Sequence, residues 1–360
     1  MSRSSDFLFV IASLLLVVAR CNSENHWIIV HYHKTGHDLA RKLAQVFNGK
    51  SCKAEVKFHF ERRVNIRIHI PLLQEVDIAV LAAPDIPITW NDHLLEQHNV
   101  KIKFVHFVRD PFDMVMSGYL YHGQEVSPAL EKWLKLPEFN PCSFDHHAMY
   151  DVYGKVIGES IGQPELITEL ISGTITTCEE INSRYDSNNQ LGYNARLRLM
   201  SREDGALLEA ARSILSKSGG DILRMATNAL YEQHTLGVNS LRVFLPEFSV
   251  GNKTQFVAAS KRLYSFLMSD PSDPRTSPVG SGAHNDTTNH FWSCLTEQQA
   301  IERSVELAYV ASSSGERKAQ ESHITQGVLT PVEKAGLRAH LMGHPAIGSL
   351  LMIVQEILNK

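Results

Sequence analysis

Residues 33–39 form a short loop with the composition of an anion site. They are His33, Lys34, Thr35, Gly36, His37, Asp38 and Leu39. The first amides of a helix have no intrahelical partners and the helix dipole is positive there, so a loop that opens a helix can cradle a phosphate or a sulfate. Lys34 adds a positive charge, and Gly36 lets the backbone approach the anion because it has no Cβ. An ordinary strand-to-helix turn with an exposed lysine is the competing interpretation.

A second segment has the residue types of a phosphate site. Arg109-Asp110-Pro111 follows the apolar run 103–108, and Ser117 comes eight residues after the arginine. An arginine at the carboxyl end of a parallel strand lies where ligands bind in open α/β sheets, and its guanidinium can hold a phosphate through two hydrogen bonds. Ser117 can add a hydroxyl donor from the second turn of the following helix. Taken singly, a structural ion pair explains Arg109 as well, and a small filler residue explains Ser117.

Strands and helices alternate around these two segments. Apolar, β-branched runs predict strands at 26–32, 76–83, 103–108 and 240–245. A polar–apolar alternation predicts one or two more strands within 55–70. Helical patterns cover 38–47, 112–121, much of 157–236 including 203–217, and 253–268. Asp110 and Pro111 have the types of an N-cap and a first helical residue.

The pattern as a whole predicts an α/β fold. Largely apolar strands that alternate with helices indicate a central, mostly parallel sheet flanked by helices on both faces. Residues 270–287 are rich in Pro, Gly, Ser and Asp and are predicted to be loop. We therefore expect residues 22–360 to form one domain, with a helical insert at about 125–235.

Together, the two segments resemble the PAPS-dependent sulfotransferase family. In that family a Lys-Thr/Ser-Gly loop after the first strand binds the 5′-phosphosulfate, and Arg-Asp-Pro-x5-Ser after a later strand binds the 3′-phosphate. The matching residues here are Lys34-Thr35-Gly36 and the segment from Arg109 to Ser117. The resemblance covers about residues 26 to 122 and implies a P-loop NTPase-like sulfotransferase fold. It also implies that PAPS (3′-phosphoadenosine 5′-phosphosulfate) is the sulfuryl donor and that no metal is needed.

The chain departs from the family pattern immediately after the glycine. The family usually has Thr or Ser at this point, whereas this sequence has His37 and Asp38. Asp38 places a negative charge near the anion, which weakens binding unless the side chain turns away or caps the helix. A protonated His37 offsets that charge, so this interpretation makes nucleotide affinity sensitive to pH.

The resemblance also suggests the catalytic residues. Sulfuryl transfer requires a group that stabilises the leaving phosphate oxygen and a base that takes the acceptor proton. Lys34 is the candidate for the first role. The candidates for the base are Glu55, His59 and Glu61, which strand alternation puts on one face, with His69 as a further candidate. Surface side chains on an exposed strand are the competing interpretation of all of these residues.

Two other functions fit the same segments. A P-loop phosphotransferase would share the topology, but it normally needs Gly-x4-Gly-Lys-Ser/Thr, which this sequence lacks, and an acidic magnesium ligand. A catalytically silent relative that binds sulfated glycans or a protein is the other alternative, and Asp38 is the residue that favours it. If the enzyme is active, the resemblance to the family and the secretory location that the N-terminus indicates favour carbohydrate or protein tyrosine as the acceptor. Carbohydrate is preferred.

Composition narrows the remaining possibilities. The chain has 360 residues, of which 43% are hydrophobic and 21% charged, and this excludes disorder as a description of the whole chain. The formal charge of −4 does not indicate a nucleic acid partner. The sequence has 18 histidines, but the pairs His33/His37 and His340/His344 lack the Glu of a His-Glu-x-x-His helix. No metal site is therefore predicted.

The N-terminus indicates the secretory pathway. Phe7 to Ala19 is an uncharged, apolar run behind Arg3, which predicts a signal peptide or a short signal anchor over residues 1–21. The expected location is the Golgi lumen or the outside of the cell, with a membrane anchor at the N-terminus as the alternative to cleavage. The sequons at Asn252 and Asn285 agree with this route. Four later cysteines permit three disulfide connectivities and are Cys52, Cys142, Cys178 and Cys294.

Overall fold

The structure is a computed structural model, and it describes the central sheet and the helices around it. The described residues are 25–32, 56–59, 78–82, 101–123, 135–137, 139–186, 190–215, 221–236, 240–248, 253–268 and 329–360. The predicted signal segment 1–21, the sequon asparagines Asn252 and Asn285, the predicted helix 38–47 and the predicted loop 270–287 lie outside them.

Five parallel strands form a single sheet. They are β1 (Asn25–His31), β2 (Val56–His59), β3 (Ile78–Ala82), β4 (Lys101–Val108) and β5 (Ser240–Phe244). The strand order is β2-β3-β1-β4-β5, and every neighbouring pair is parallel. The four strands predicted from apolar runs are confirmed to within two residues at each end. Of the alternating segment 55–70, only the strand Val56–His59 is described.

The sheet is covered on both faces. Side chains alternate between the two faces of a strand, yet consecutive residues such as Ile28 and Ile29 in β1, or Phe104 and Val105 in β4, are all buried. Strands with both faces buried are typical of parallel sheets between helical layers. The predicted α/β class with a mostly parallel, helix-flanked sheet is therefore confirmed.

Helices make up most of the described chain. They are α1 (Pro111–His122), α2 (Lys155–Ile161), α3 (Pro164–Tyr185), α4 (Tyr193–Leu199), α5 (Arg202–Leu215), α6 (Asp221–Tyr231), α7 (Lys253–Met268), α8 (Pro331–Gly343) and α9 (Pro345–Asn359). The start of α1 follows the prediction, because the Asp110 side chain accepts a hydrogen bond from the Asp113 amide and Pro111 takes the first turn.

The C-terminal pair of helices was not predicted. A capping box opens α8, since the side chains of Thr330 and Glu333 each bond the other residue's backbone amide. The following helix, α9, buries an apolar stripe that includes Ile347, Leu351 and Val354. It packs against α3, α6 and α8 and so joins the main core. The Thr-Pro-Val-Glu sequence is the local signal that could have revealed this start.

No single helix in the described part of the chain has the length and apolar character of a membrane span. The pair α8 and α9 reaches the required values only when its members are taken together, and the two are bent by 104° at their junction.

A disulfide joins the segment before α2 to the middle of α3. It pairs Cys142 with Cys178, two cysteines 36 residues apart, and both are buried. This selects the Cys142–Cys178 pairing from the connectivities that the sequence leaves open. The other two cysteines considered for pairing, Cys52 and Cys294, lie outside the described residues.

A buried carboxylate links α1 to α5. Glu209 accepts hydrogen bonds from the Tyr193 hydroxyl at 2.8 Å and from His122 Nδ1 at 2.9 Å, and it forms an ion pair with Arg212 at 2.5 Å. Burial by itself raises the pKa of Glu209, but the charge of Arg212 and the His122 contact outweigh that effect and hold the pKa far below its ordinary value. Gly118 of α1 lies directly against this carboxylate, because a Cβ at this position would overlap Glu209 Oε1.

Breaking the disulfide should destabilise the protein substantially. The Cys142→Ala/Cys178→Ala double variant should lose about 4 kcal/mol of unfolding free energy, because its unfolded chain regains the entropy of a loop of this length. Denaturant titration of both proteins measures the difference. A reducing agent should therefore lower the stability of the wild type by more than that of the double variant, and the excess should be about the same 4 kcal/mol. Equal stability of the two proteins would contradict this assignment.

Gly118→Ala should lower the unfolding free energy by about 2 kcal/mol or more, because the new methyl group overlaps the buried Glu209 carboxylate. The matched control is Gly336→Ala on the exposed face of α8, where a Cβ meets nothing within 4 Å. The control should stabilise the helix by up to about 1 kcal/mol, since alanine is the better helix former. The midpoint temperature of thermal unfolding should therefore fall in Gly118→Ala and rise in Gly336→Ala.

Candidate functional site

The carboxyl ends of β1 and β4 lie side by side at one edge of the sheet. The two strands pair in parallel, with Val30 opposite His106. From β1 the chain continues toward β2 on one side of the sheet, whereas from β4 it continues to β5 on the other. Ligands of open α/β sheets bind where neighbouring strands connect in opposite directions in this way. Tyr32 and Arg109, the residues that follow these strands, are therefore at the expected edge.

Arg109 is a partly buried cation at this edge. Burial lowers the pKa of its guanidinium, because removal from water disfavours the charged form. The carboxylates of Asp113 and Asp110 offset part of that effect. The guanidinium keeps its charge at physiological pH, because the ordinary pKa of an arginine lies far above neutral. A desolvated arginine in this position suits a multiply charged anion.

Asp110 is bound by the C-terminal helices. Arg338 of α8 donates to Asp110 Oδ1 at 3.0 Å and to Oδ2 at 2.9 Å, and Gln355 of α9 donates to Oδ2. The Arg338 guanidinium also lies 4.6 Å from the centroid of the Phe112 ring. The start of α1, next to Arg109, is thus attached to the end of the chain.

Ser117 is turned into the protein. It lies in the second turn of α1 and is 7% exposed. At a rise of about 1.5 Å per residue, it is about 9 Å along the helix from Pro111. Arg109 and Ser117 are thus carried by one continuous unit, the end of β4 and the helix that follows it. The burial of Ser117 shows that this face of α1 turns into the protein, and its contact with a nucleotide stays a prediction.

Most of the other predicted site residues lie outside the described part of the chain. These are the loop 33–39 and the base candidates Glu55, Glu61 and His69. His59 is the last residue of β2, opposite Leu81 of β3. Because β3 separates β2 from β1, two strand spacings, or about 10 Å, lie between their carboxyl ends. His59 therefore lies at the same edge of the sheet as Arg109. Its role as a base stays a prediction.

A buried hydrogen-bond chain runs beneath this edge. Asn228 Nδ2 donates to the Tyr32 hydroxyl at 2.6 Å, the hydroxyl lies 2.8 Å from His106 Nε2, and His106 Nδ1 lies 3.0 Å from Glu232 Oε2. Since an ionised Glu232 only accepts, His106 must carry its proton on Nδ1 and accept from the tyrosine through Nε2. All donors in the chain then point the same way, from Asn228 to Glu232.

The environment of this chain favours a neutral histidine. Burial lowers the pKa of His106, and the hydrogen bond to Glu232 offsets part of the shift. Burial by itself raises the pKa of Glu232, but the His106 contact and the nearby Arg242 outweigh that effect and lower it. Arg242 also donates to the backbone carbonyls of Leu358 at 2.8 Å and Ala229 at 3.0 Å. Through Arg242, the hydrogen-bond chain therefore connects the end of β1 to the last turn of α9.

A concave site of about 310 Å³ lies at the far end of this network. Its lining includes Glu232, Arg242 and Phe244 together with the last residues of α9. Neither Arg109 nor Ser117 belongs to its lining. The concavity therefore lies along the edge strand β5, and it is separate from the candidate anion site.

The sequence analysis missed two parts of this arrangement. It took Tyr32 and His106 only as strand residues, although a histidine inside an apolar strand already indicates a buried polar partner. It also missed Arg338 and Gln355, whose partner Asp110 lies 228 and 245 positions earlier in the chain. Periodicity within one segment carries no information about contacts at such separations.

Comparisons with protein-family models, with curated proteins and with solved structures found no match to this chain.

His106→Gln should lower the unfolding free energy by about 1 to 3 kcal/mol at pH 8, because it leaves buried hydrogen-bond partners unsatisfied. The folded state favours neutral His106, so the wild type has the full contribution of this residue above its unfolded pKa of about 6.5 and loses it as the pH falls. The difference between the two proteins should therefore narrow from pH 8 to pH 5.

Denaturant titrations across this pH range measure that difference. The control is His147→Gln, which changes an exposed histidine paired with Asp151 at 2.9 Å. It should stay within about 0.5 kcal/mol of the wild type, as is usual for surface pairs. A constant difference between His106→Gln and the wild type at every pH would show that His106 does not titrate in this way.

Proposed function

We propose that this protein is a PAPS-dependent sulfotransferase of the secretory pathway, with carbohydrate as the preferred acceptor class. The observation that supports it most is the parallel pairing of β1 with β4. This pairing leaves Arg109 beside the strand that leads into the Lys34 loop. The two motifs of the family resemblance thus follow neighbouring strands, although 75 residues separate Lys34 from Arg109.

The sheet order supports the proposal that the fold is P-loop NTPase-like. The first strand lies at the centre of the sheet, and its carboxyl end is at the point where connections diverge. A nucleotide with phosphates at both its 5′ and 3′ positions needs two separate anion sites. One central loop and one adjacent strand end meet that need, and the partly buried Arg109 fits the 3′-phosphate.

The proposed reaction is an in-line displacement at sulfur. An oxygen–sulfur bond forms to the acceptor hydroxyl, and the bond between sulfur and the 5′-phosphate oxygen breaks, so that adenosine 3′,5′-bisphosphate leaves. Lys34 stabilises the charge that develops on the departing oxygen, while Arg109 and Ser117 hold the 3′-phosphate. The acceptor proton passes to a base, for which Glu55, His59 and Glu61 are the candidates.

Binding of adenosine 3′,5′-bisphosphate to the purified protein tests the nucleotide site. Arg109→Ala should weaken it about 10- to 100-fold through the loss of charged hydrogen bonds, and Ser117→Ala about tenfold. Lys34→Ala should reduce transfer from labelled PAPS more than 100-fold. The control is Arg184→Ala, which removes an exposed arginine of α3 that is paired with Asp204 of α5 and should leave affinity and transfer unchanged.

The acceptor panel decides between the proposal and its alternatives. It contains glycans, tyrosyl peptides and small alcohols, each incubated with labelled PAPS. Labelled glycan supports the carbohydrate assignment. Nucleotide binding without any labelled product supports the catalytically silent relative, and magnesium-dependent transfer of phosphate from ATP supports a phosphotransferase. Normal binding and turnover by the Lys34, Arg109 and Ser117 variants would falsify the site.

A further inference from the structure

The concave site beside β5 is built from three elements. Strand alternation puts Ser240, Arg242 and Phe244 on one face of β5, and all three line the concavity. The start of the helical turn Glu232–Leu236 and the last residues of α9 supply the rest of its lining. Its volume of about 310 Å³ lies at the lower end of the range of about 300 to 1,000 Å³ that is typical of small-molecule sites. The site therefore has room for a small ligand.

Arg242 ties these three elements together. Its Nη1 donates to the carbonyls of Leu358 at 2.8 Å and Ile357 at 3.3 Å, near the end of α9. Its Nε donates to Glu232 Oε2 at 3.2 Å, and its Nη2 donates to the Ala229 carbonyl at 3.0 Å. Within the described residues Nη2 makes this one hydrogen bond, so its second N–H is left for a ligand.

Glu232 presents one carboxylate oxygen to the concavity. Its side chain is 5% exposed, and Oε2 accepts from both His106 and Arg242. The other oxygen, Oε1, makes no hydrogen bond in the described part of the chain, yet it is not among the buried unsatisfied atoms there. Because Glu232 lines the concavity, we infer that Oε1 keeps its contact with solvent through that opening.

This oxygen is a strong acceptor. Burial by itself raises the pKa of Glu232, but the contacts with His106 and Arg242 outweigh that effect and lower it, so the carboxylate is ionised at neutral pH. Hydrogen bonds to a charged acceptor are about twice as strong as those between neutral groups. A ligand that donates a hydrogen bond to Oε1 would therefore gain a strong contact.

The charges at the floor of the site favour a neutral ligand. Glu232 and Arg242 form an ion pair, so together they carry no net charge. An anion would meet Glu232 Oε1, and a cation would meet the guanidinium. Lys360 lies at the exposed rim, where solvent and salt screen its charge. A hydroxyl group both donates and accepts, so hydroxyls can serve Oε1 and the N–H of Arg242 Nη2 alike.

Phe244 adds an aromatic surface to these polar groups. Its ring is partly exposed and lines the same concavity. The C–H groups on one face of a sugar ring are apolar and slightly positive, and they match the negative face of an aromatic ring. The exposed amides of Gln233 and Asn359 give further donors and acceptors at the rim. A charged acceptor, a charged donor and an aromatic ring in one small concavity suit a sugar.

We propose that the concavity beside β5 binds a neutral sugar, whose hydroxyls bond Glu232 Oε1 and Arg242 Nη2 and whose C–H face packs on Phe244. The proposal does not depend on sulfuryl transfer, because neither Arg109 nor Ser117 lines this concavity. The site is thus additional to the acceptor subsite of the proposed reaction. The competing explanation is that Glu232 only pairs with His106 and Arg242, and that the concavity binds nothing.

Saturation-transfer NMR titration of the full chain tests the proposal with three neutral disaccharides, which are lactose, maltose and N,N′-diacetylchitobiose. At least one should bind. Glu232→Gln should weaken that binding about tenfold, because the free acceptor loses its charge. Phe244→Leu should weaken it about threefold or more, since leucine keeps the apolar volume but lacks the flat ring. In the wild type the C–H protons of one sugar face should receive the strongest saturation, and Phe244→Leu should remove that preference.

The matched control is Glu247→Gln. Glu247 lies just after β5 and is also paired with an arginine, Arg262, but it does not line the concavity. This variant should bind the sugar as the wild type does. Circular dichroism establishes that each variant is folded before titration. If Glu232→Gln unfolds, Phe244→Leu carries the comparison, because it leaves both ion pairs intact.

The outcomes separate this inference from the proposed function. Sugar binding that both variants weaken supports it, even where no transfer from PAPS is detected. The absence of binding by all three disaccharides up to about 10 mM overturns it. Binding that neither variant changes lies elsewhere on the protein, which overturns the inference and leaves the sulfotransferase proposal standing. Tighter binding of 3′-sulfated lactose than of lactose, lost in Glu232→Gln or Phe244→Leu, overturns the choice of a neutral ligand.

Discussion

The parallel contact between β1 and β4 is the constraint on which the candidate site depends. A hydrogen-bonded ladder holds the two strands about 4.8 Å apart, and their shared direction puts both carboxyl ends at one edge. Parallel neighbours require crossover connections, and β2 and β3, which follow β1 in the chain, both lie on the side of β1 away from β4. The edge beyond β1 and β4 is therefore the place where segments distant in sequence can act on one ligand.

Burial of polar groups makes this arrangement specific. Tyr32, His106 and Glu232 lie in the interior, where an unsatisfied hydrogen-bonding group costs about 1 to 3 kcal/mol. Their geometry allows only one order of donors and acceptors, so the end of β1, the middle of β4 and the helical turn Glu232–Leu236 after α6 must come together in one register. Glu209 does the same for α1 and α5 through its contacts with His122 and Arg212. One network thus joins β1 to β4, the strand before Arg109, and the other joins α5 to α1, the helix after it.

The C-terminal helices complete the structure around the start of α1. The apolar stripe of α9 packs into the core beside α3 and α6, while α8 presents Arg338 and Lys334 to the carboxylates at the start of α1. One helix thus contributes mainly packing and the other mainly charge. A segment more than 200 residues later in the chain thereby contacts the start of α1 directly.

Local sequence determined the elements and the position of Arg109 at a strand end. The apolar run at 103–108 and the Asp-Pro pair that follows were sufficient, because strand burial and helix capping depend on residues a few positions apart. Tertiary structure alone decided the strand order, the pairing of Cys142 with Cys178 and the contact between Asp110 and Arg338. Each of these joins residues from separate elements, so it follows from how the helices and strands pack and not from any local pattern.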